Sequence, residues 1–446
     1  MTLADFVVTA TPPPEARATA ARALVDTVGV TLAGAIQPAA RIVQRVVEQE
    51  GSGPCAVLGT ALGASPANAA LANGTAAHAL DYDDMCFVSL AHPSAPLVSA
   101  GLAAAEQARQ SGAALLDAYV VGFELEGRLG RVMNPRHYQR GWHCTATLGT
   151  IGAAAAASRL FALNTLQTGH ALAIAASEAS GLKENFGTMV KPLHAGLAAR
   201  NGVLAALLAK AGMVASAAAI EGPQGFLVAM DSELPTLEHA TADLGERWEI
   251  LDTGITIKLY PSCAGTHPTL DALLDLKRRA GFSSEDVEAI EVGVDPIVPT
   301  ILLYDRPSSG LEGKFSMPFC TAAAVVRGSV GLETFEAALI GDPAILAMQE
   351  RVTMRVDPSL DASAPALTQA RVTVRLRDGR VLTACANGAR GYHERPASEA
   401  ELATKFLSCA RETLSESAAG EALAALRGIE SIADVRIVTA RVSSRP

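Results

Sequence analysis

Aromatic side chains are scarce in this 446-residue chain: Phe, Tyr and Trp together make up 4% of it, although 49% of the residues are apolar. Its core must therefore be filled mainly by Ala, Leu and Val, and such small side chains favour closely packed helices. Cysteine is dispersed, at positions 55, 86, 144, 263, 320, 385 and 409, with no C-x-x-C pair. That pattern points to reduced thiols rather than a disulfide framework. There is no basic stripe with interleaved aromatics, and the net charge is −10, so no nucleic-acid partner is expected. Charge is missing from residues 51 to 80, but Gly, Pro, Ser and Asn punctuate that run. A spanning helix needs about 20 predominantly apolar residues without such breaks, so no membrane partner is expected either. The N-terminus, MTLADFVVTATPPPEA, has neither a basic leader nor a clean apolar run, and a cytoplasmic location is expected.

Several chemistries lack their signatures. No G-x-G-x-x-G, G-x-x-x-x-G-K-[ST] or G-x-S-x-G occurs, which argues against dinucleotide, P-loop and α/β-hydrolase sites. Neither H-E-x-x-H nor an EF-hand loop is found, so no metal is assigned.

What is present is mostly helical. Apolar positions near 24, 25, 28 and 32 fall on one helical face, and further helices are expected over 96–110, 112–129, 145–162, 165–181, 194–212 and 266–279. Beyond about residue 282 the texture changes. In RVTVRLRDGRVLTACA, Val372, Val374 and Leu376 alternate with Arg371, Thr373, Arg375 and Arg377, and Asp378-Gly379 supplies a tight turn. Helices over 318–328 and 332–340 interrupt the strands, and Ser398 with Glu401 marks a capped helix start. The expected fold is mainly α. A large, discontinuous all-helical domain (1–264 plus 395–446) is joined by a smaller α+β domain (265–394).

In an Ala-rich body, ionisable groups beside Gly and Pro breaks are the places to look for chemistry, since burying them unpaired costs several kcal/mol each. Four clusters qualify: Asp81, Asp83, Asp84 and His92; GWHCTATLGT with His143; GTMVKPLHAG with Lys191 and His194; and TIKLYPSCAGTH with Lys258, Cys263 and His267. Each taken singly has an ordinary reading. Ser94 suits a helix N-cap after His92-Pro93, and Asp83 and Asp84 suit local capping or pairing. A lone His143 reads as a hydrogen-bonded core histidine, Lys258 as a snorkelling side chain, and Cys263 as a small buried hydrophobe. A pyridoxal Schiff base on Lys191 or Lys258 finds no support in all-helical surroundings.

Read jointly, the segments resemble one family. NGTAAHALDYDD followed by HPSAP, GWHCTATLGTIGAAAAAS, KPLHAGLAARNG, EGPQGF, KLYPSCAGTH, GKFSMPF and GYHERPASEAELATKF occur in the order of the MmgE/PrpD family. They run from about residue 20 to 410. The activities of that family include 2-methylcitrate dehydration, cis-aconitate decarboxylation and iminodisuccinate epimerisation. The resemblance implies an all-helical domain with an α+β lid, a homodimer, a cleft site and cofactor-free chemistry on small di- or tricarboxylates. By motif it implies site positions at Asp81, His92, His143, Lys191, Lys258 and Cys263.

Such enzymes make or break a bond at a carbon next to a carboxylate. His92 and His143 suit general acid and base, because imidazole titrates near operating pH. Asp81 suits orienting a histidine, and Lys191 and Lys258 suit binding carboxylates and stabilising an enolate-like oxygen. His267 joins the expected substrate contacts through its motif. Three positions depart from the family pattern. Met85 stands where a Thr follows D-x-D-D, Phe319 where a Tyr ends F-S-x-P-Y, and Cys263 where the decarboxylases have a histidine. Met85 and Phe319 each remove a hydroxyl able to protonate a leaving group, which tilts the expectation to an isomerase, an epimerase of an imino-linked dicarboxylate such as iminodisuccinate. A dehydratase of a hydroxy di- or tricarboxylate is the alternative, and a non-catalytic helical binding protein is a third.

Overall fold

The computed structural model describes residues 1–443 except 366; the end of the expected helical domain, 444–446, and residue 366 of the expected smaller domain lie outside the described residues. The chain forms two compact units, and Lys258–Ala397 together with Asn185–Thr188 make the second. These limits differ from the sequence-based boundaries at both ends of the smaller domain. Lys258 to Ala264 joins it because Cys263 N–H donates to the Lys314 carbonyl (3.0 Å) and Lys314 Nζ donates to the Pro261 carbonyl (2.7 Å). The Asn185–Thr188 piece joins it because the Tyr304 hydroxyl donates to the Phe186 carbonyl (2.8 Å).

The first unit is helical. Its site-bearing helices are α1 (Pro14–Gly34), α2 (Pro66–His78), α3 (Ser94–Ala108), α4 (Gly112–Met133), α5 (Cys144–Leu160), α6 (Thr165–Glu178) and α7 (Val190–Lys210). Helix α2 shows why these segments form. Its Ala run costs least in a helix, Pro66 occupies the first turn, and Ser65 caps the start by accepting from Asn68 N–H. It then packs closely on α7 through two glycines. A Cβ on Gly196 would lie 2.2 Å from Thr75 Oγ1 and 2.4 Å from the Leu71 carbonyl oxygen, and one on Gly74 2.9 Å from the Ala195 carbonyl oxygen. Because Gly74 precedes His78 while Gly196 follows Lys191, the two helices run antiparallel and bring the end of α2 to the start of α7. Ala77, Ala95 and Ala195 fill the adjoining core. No single helix among the described residues is long and apolar enough to cross a membrane. Only α1 and Pro38–Gln49 reach that test together, and they are bent by 85°.

From Ser398 onward the chain belongs to the first unit again. The helix Glu399–Ala410 starts with the expected capping box: Ser398 Oγ accepts from Glu401 N–H, and the Glu401 carboxylate accepts from Ser398 N–H.

The second unit carries a four-stranded sheet made of β1 (Val287–Val294), β2 (Val352–Val356), β3 (Gln369–Leu376) and β4 (Val381–Asn387), in the order β2-β1-β3-β4. Strand β1 pairs parallel with β2 and antiparallel with β3, and β3–β4 is a hairpin with Thr373 opposite Thr383. Ala370, Val372, Val374 and Leu376 are fully buried, as the alternation requires. Helices α8 (His267–Ala280) and α9 (Met317–Arg327) belong to the same unit. The helix expected over 332–340 is instead a 3₁₀ turn, Leu332–Phe335, and a single α turn, Ala337–Ile340, because Glu336 between them is extended (φ −74°, ψ 153°).

Candidate active site

Helix α2 ends on His78, and a non-helical segment, residues 79–93, leads to α3. That segment carries Asp81, Asp83, Asp84 and His92. His143 holds the N-cap position of α5, with its N–H on the Gly181 carbonyl (3.0 Å), and Lys191 and His194 stand one turn apart at the start of α7. The antiparallel contact of α2 with α7 delivers these groups to one place.

Lys191 sits at the centre. Its Nζ lies 2.6 Å from Asp81 Oδ1 and 2.9 Å from His78 Nε2, and the residue is only 4% exposed. An ammonium only donates, so His78 Nε2 accepts. The His78 proton is then on Nδ1, which faces the Asp83 carboxylate at 2.8 Å. His78 is thereby a neutral imidazole of fixed tautomer, and Asp83 an acceptor carboxylate. Burial pushes the His78 pKa down, beyond what neighbouring Asp83 restores. Burial alone would raise Asp83, but the imidazoles of His78 and His92 outweigh it and hold the carboxyl well below its ordinary range. The C-terminal end of α2 also favours a cation at this point, which suits Lys191.

His92 lies between the two carboxylates, with Nε2 3.7 Å from Asp81 Oδ1 and Nδ1 3.4 Å from Asp83 Oδ2. Its backbone N–H donates to Thr145 Oγ1 of α5 (3.0 Å). The ring centroid of His78 is 4.5 Å from that of His92 and 5.7 Å from that of His143. His143 and His194 meet through their Nδ1 atoms at 3.1 Å, so one donates and the other accepts. Burial, then the charge of Lys191 and the surrounding imidazoles, holds His143 well below its ordinary value. Burial first pushes His194 down to about 4.

His78, Asp81, Asp83 and His92 offer ligand atoms within 4.8 Å of one another, and these are metal-binding residue types. Lys191 bears on the fit: its ammonium already bonds two of the four, so a divalent ion there would meet a fixed positive charge at close range. The donor set is better suited to moving protons.

The structure thus brings together four residues expected from sequence, Asp81, His92, His143 and Lys191. His78 and His194 were not assigned as site residues, and Asp83 was read as structural. The signals for them were there: His194 follows Lys191 by one helical turn, and His78 closes the Ala-rich helix just ahead of the aspartates. Asp84 does not face the cluster. It accepts from Ser94 N–H (3.1 Å) and from the Ser94 hydroxyl, which also meets Tyr119 (2.5 Å), and burial holds its carboxyl up at about 8. This corrects the expected cap: Pro93 takes the N-cap position of α3, and Ser94 is its first helical residue. Met85 is buried and exchanges two backbone hydrogen bonds with Thr256 (2.8 and 2.9 Å).

Lys258, Cys263, His267 and Phe319 belong to the second unit. Lys258 is fully buried there. Cys263 precedes the 3₁₀ turn Ala264–Thr266, His267 Nε2 lies 3.1 Å from the Ser262 carbonyl and edge-on to Tyr260, and Phe319 is buried against Phe335.

Comparison with known proteins agrees with the motif order. The family model for the MmgE/PrpD N-terminal domain matches residues 1–236, and that for the MmgE/PrpD C-terminal domain matches residues 260–430. A cis-aconitate decarboxylase of Mus musculus is 27% identical over 391 residues, 84% of this chain and 78% of its own length. The cis-aconitate decarboxylase-like protein oryM of Aspergillus oryzae is 28% identical over 444 residues, 94% of this chain and 91% of its own. A cis-aconitate decarboxylase of Aspergillus terreus is 27% identical over 438 residues, 92% and 88%.

These relatives overturn the isomerase expectation, since a decarboxylase is a lyase. That expectation gave undue weight to two missing hydroxyls. Met85 and Phe319 are not among the imidazoles, the ammonium and the carboxylates that the contacts around Asp81 and Asp83 join.

Proposed function

The chain belongs to the MmgE/PrpD family, and from that premise we propose that it is a lyase acting on a small tricarboxylate of the aconitate type, in the first instance by releasing CO₂. The observation that supports this is the Lys191 ammonium shared between Asp81 and His78, beside three more imidazoles.

In decarboxylation the bond from a carboxylate to its neighbouring carbon breaks. CO₂ leaves, the electron pair stays on carbon and spreads into the adjoining double bond and carboxylate, and one proton closes the carbanion. The enzyme must therefore stabilise negative charge briefly and then deliver a proton. Lys191 is a fixed, desolvated positive charge suited to the first task. His92, with a carboxylate facing each nitrogen, is the imidazole best placed to carry the proton for the second. His78, locked in one tautomer by Lys191 and Asp83, orients the ammonium, and neutral His143 is available as acceptor or hydrogen-bond donor. A positioned acid or base contributes about 10²–10⁴-fold. These are the chain's own groups, and the reaction so written requires no cofactor. The homodimer implied by the resemblance is part of the proposal.

Loss of water is the second reading, favoured by Cys263 standing where the decarboxylases have a histidine. A base removes the C–H proton next to a carboxylate, the C–O bond breaks, and hydroxide leaves as water after taking a proton.

The test is direct. Purified enzyme with cis-aconitate in D₂O is expected to release CO₂ and place one deuterium on carbon in the product. Hydration of cis-aconitate without CO₂ release would move the assignment to the second reading, and no turnover of any hydroxy or unsaturated tricarboxylate would overturn the lyase proposal.

A further inference from the structure

The end of the motif GYHERPASEAELATKF, Lys405-Phe406, falls on the helix Glu399–Ala410, and its place in the fold bears on the candidate site. We propose that Lys405 is a positioning residue. Its ammonium, anchored on Asp26, clamps the backbone between Asp81 and Asp83 and so sets the geometry of the proton-transfer cluster. This deepens the functional reading above and rests on it for its catalytic consequence.

Three contacts carry the inference. Lys405 Nζ donates to the Tyr82 carbonyl at 2.7 Å across 323 positions of sequence. The same Nζ lies 2.7 Å from Asp26 Oδ1 of α1 and 4.1 Å from the Tyr82 ring centroid. Both charged side chains are almost wholly removed from solvent, at 2% and 0% exposure. Two charges are not placed in such surroundings without cost: each loses several kcal/mol of hydration, offset only when geometry and further hydrogen bonds are good. Here the extra hydrogen bond goes to Tyr82, the residue separating the two carboxylates that hold His78, His92 and Lys191.

The approach of the helix is built in. A Cβ on Gly29 would lie 2.9 Å from Phe406 Cδ2 and 3.2 Å from Phe406 Cα, so the helix backbone rests on α1 at Gly29. Asp26 is one turn earlier on the same face of α1, under Lys405. At the other end of the clamp, Asp81 has φ +50°, the left-handed region that a non-glycine residue adopts only at a cost. A backbone held there needs fixed partners on its flanks. Lys405 supplies one, and the paired backbone bonds of Met85 with Thr256 supply another. Burial first raises the pKa of Asp26 and of Asp84, and the charge of Asp83 on Asp26 and of Asp26 on Asp84 adds to it, whereas Lys405 lowers that of Asp26 and so offsets negative charge beside the site.

The test uses the full-length enzyme with Lys405→Met and with the paired change Lys405→Met/Asp26→Asn, which removes the donor without stranding a buried carboxylate. Arg17→Met, which breaks the Arg17–Asp117 pair (2.6 Å) elsewhere in the first unit, is the control for loss of an interhelical ion pair. Two readouts are taken: amide hydrogen exchange at residues 81–86, and kcat and KM. The paired variant is expected to exchange at least 10-fold faster at 81–86, with unaltered exchange in β3 and β4. Its kcat should fall at least 10-fold while KM changes less than 3-fold, and the control should keep wild-type kcat. Wild-type exchange at 81–86 in the paired variant overturns the inference whatever reaction the enzyme catalyses. Faster exchange with kcat within 2-fold of wild type overturns its catalytic part alone. Exchange is read without substrate, so failure of the lyase assignment leaves this test standing.

Discussion

The β3–β4 hairpin and the segment from residue 79 to 93 are held in different ways. In the hairpin β3 and β4 pair with each other across the Asp378-Gly379 turn, although β3 also pairs with β1, and the buried row Ala370, Val372, Val374 and Leu376 repeats with a period of two. In the segment the partners come from far along the chain: Thr145 on His92, Lys191 on Asp81, Thr256 on Met85, Lys405 on Tyr82. The hairpin is specified by its own residues. The segment has only short-range contacts of its own, such as the Cys86–Ala91 bridge, and takes much of its shape from residues far along the chain. Local pairing tolerates change, whereas a site assembled from remote anchors transmits each lost anchor to the chemistry.

The sharpest way to break that contrast is to remove the central cation. Lys191→Met strands Asp81 and frees the His78 tautomer, and kcat is expected to fall about 10²–10⁴-fold, measured as product release from a tricarboxylate. A core truncation in the hairpin, Val374→Ala, should leave kcat alone and cost about 1–3 kcal/mol in urea unfolding of the second unit.

Next in size is the contact that brings α2 to α7. Gly196→Ala forces a methyl group onto the Leu71 carbonyl and Thr75, and is expected to destabilise by about 3 kcal/mol or more and to lower activity with it. Gly379→Ala is the matching change in the hairpin. The turn residue has φ +89° but nothing within 4 Å of a new methyl group, so the cost is expected near 1 kcal/mol with full activity. Urea midpoints of the four variants give the ranking.

The smallest effect is a dependence on pH that arises in and beside the segment 79–93. Unfolded, the His194 imidazole takes up a proton near 6.5, whereas folded it does so only near 4. Between those values the unfolded chain binds more protons, so stability falls as pH drops through that window. His78 and His143, also lowered, add in the same direction. Asp84 acts oppositely: with its folded value near 8 against 3.8, its contribution is complete below 3.8 and is lost as pH rises toward 8. His194→Gln should flatten the acid side of the melting-temperature profile, and Asp84→Asn the side rising to pH 8, both by calorimetry.

Legibility followed the same divide. The alternation in β3, the capping box at Ser398 and Glu401, and most helix spans were readable because each depends on residues within a few positions. Asp81, His92, His143 and Lys191, which the structure brings together, were singled out because their motifs accumulate in one order along the chain. His78 was not assigned because residues 51–80 were read only as an uncharged run punctuated by Gly, Pro, Ser and Asn, and it is Lys191, from 113 positions away, that joins it to the cluster. Asp83 and Asp84 are chain neighbours with opposite fates. Backbone direction in an irregular segment sends one to two imidazoles and the other to Ser94, and no periodicity encodes that. The isomerase expectation was overturned by the relatives, which are named as decarboxylases: it rested on the hydroxyls missing at Met85 and Phe319, and two local absences do not settle a reaction class.

By itself the sequence determined the helical character of the chain, the hairpin, the small-residue surfaces on α2 and α7, and the inventory of ionisable groups, since these follow from composition and short-range periodicity. Tertiary structure alone decided which of those groups share a low-dielectric site, which tautomer His78 holds, and which of two adjacent aspartates stays ionised. Such properties depend on distances and burial, which arise only when segments hundreds of residues apart are packed together.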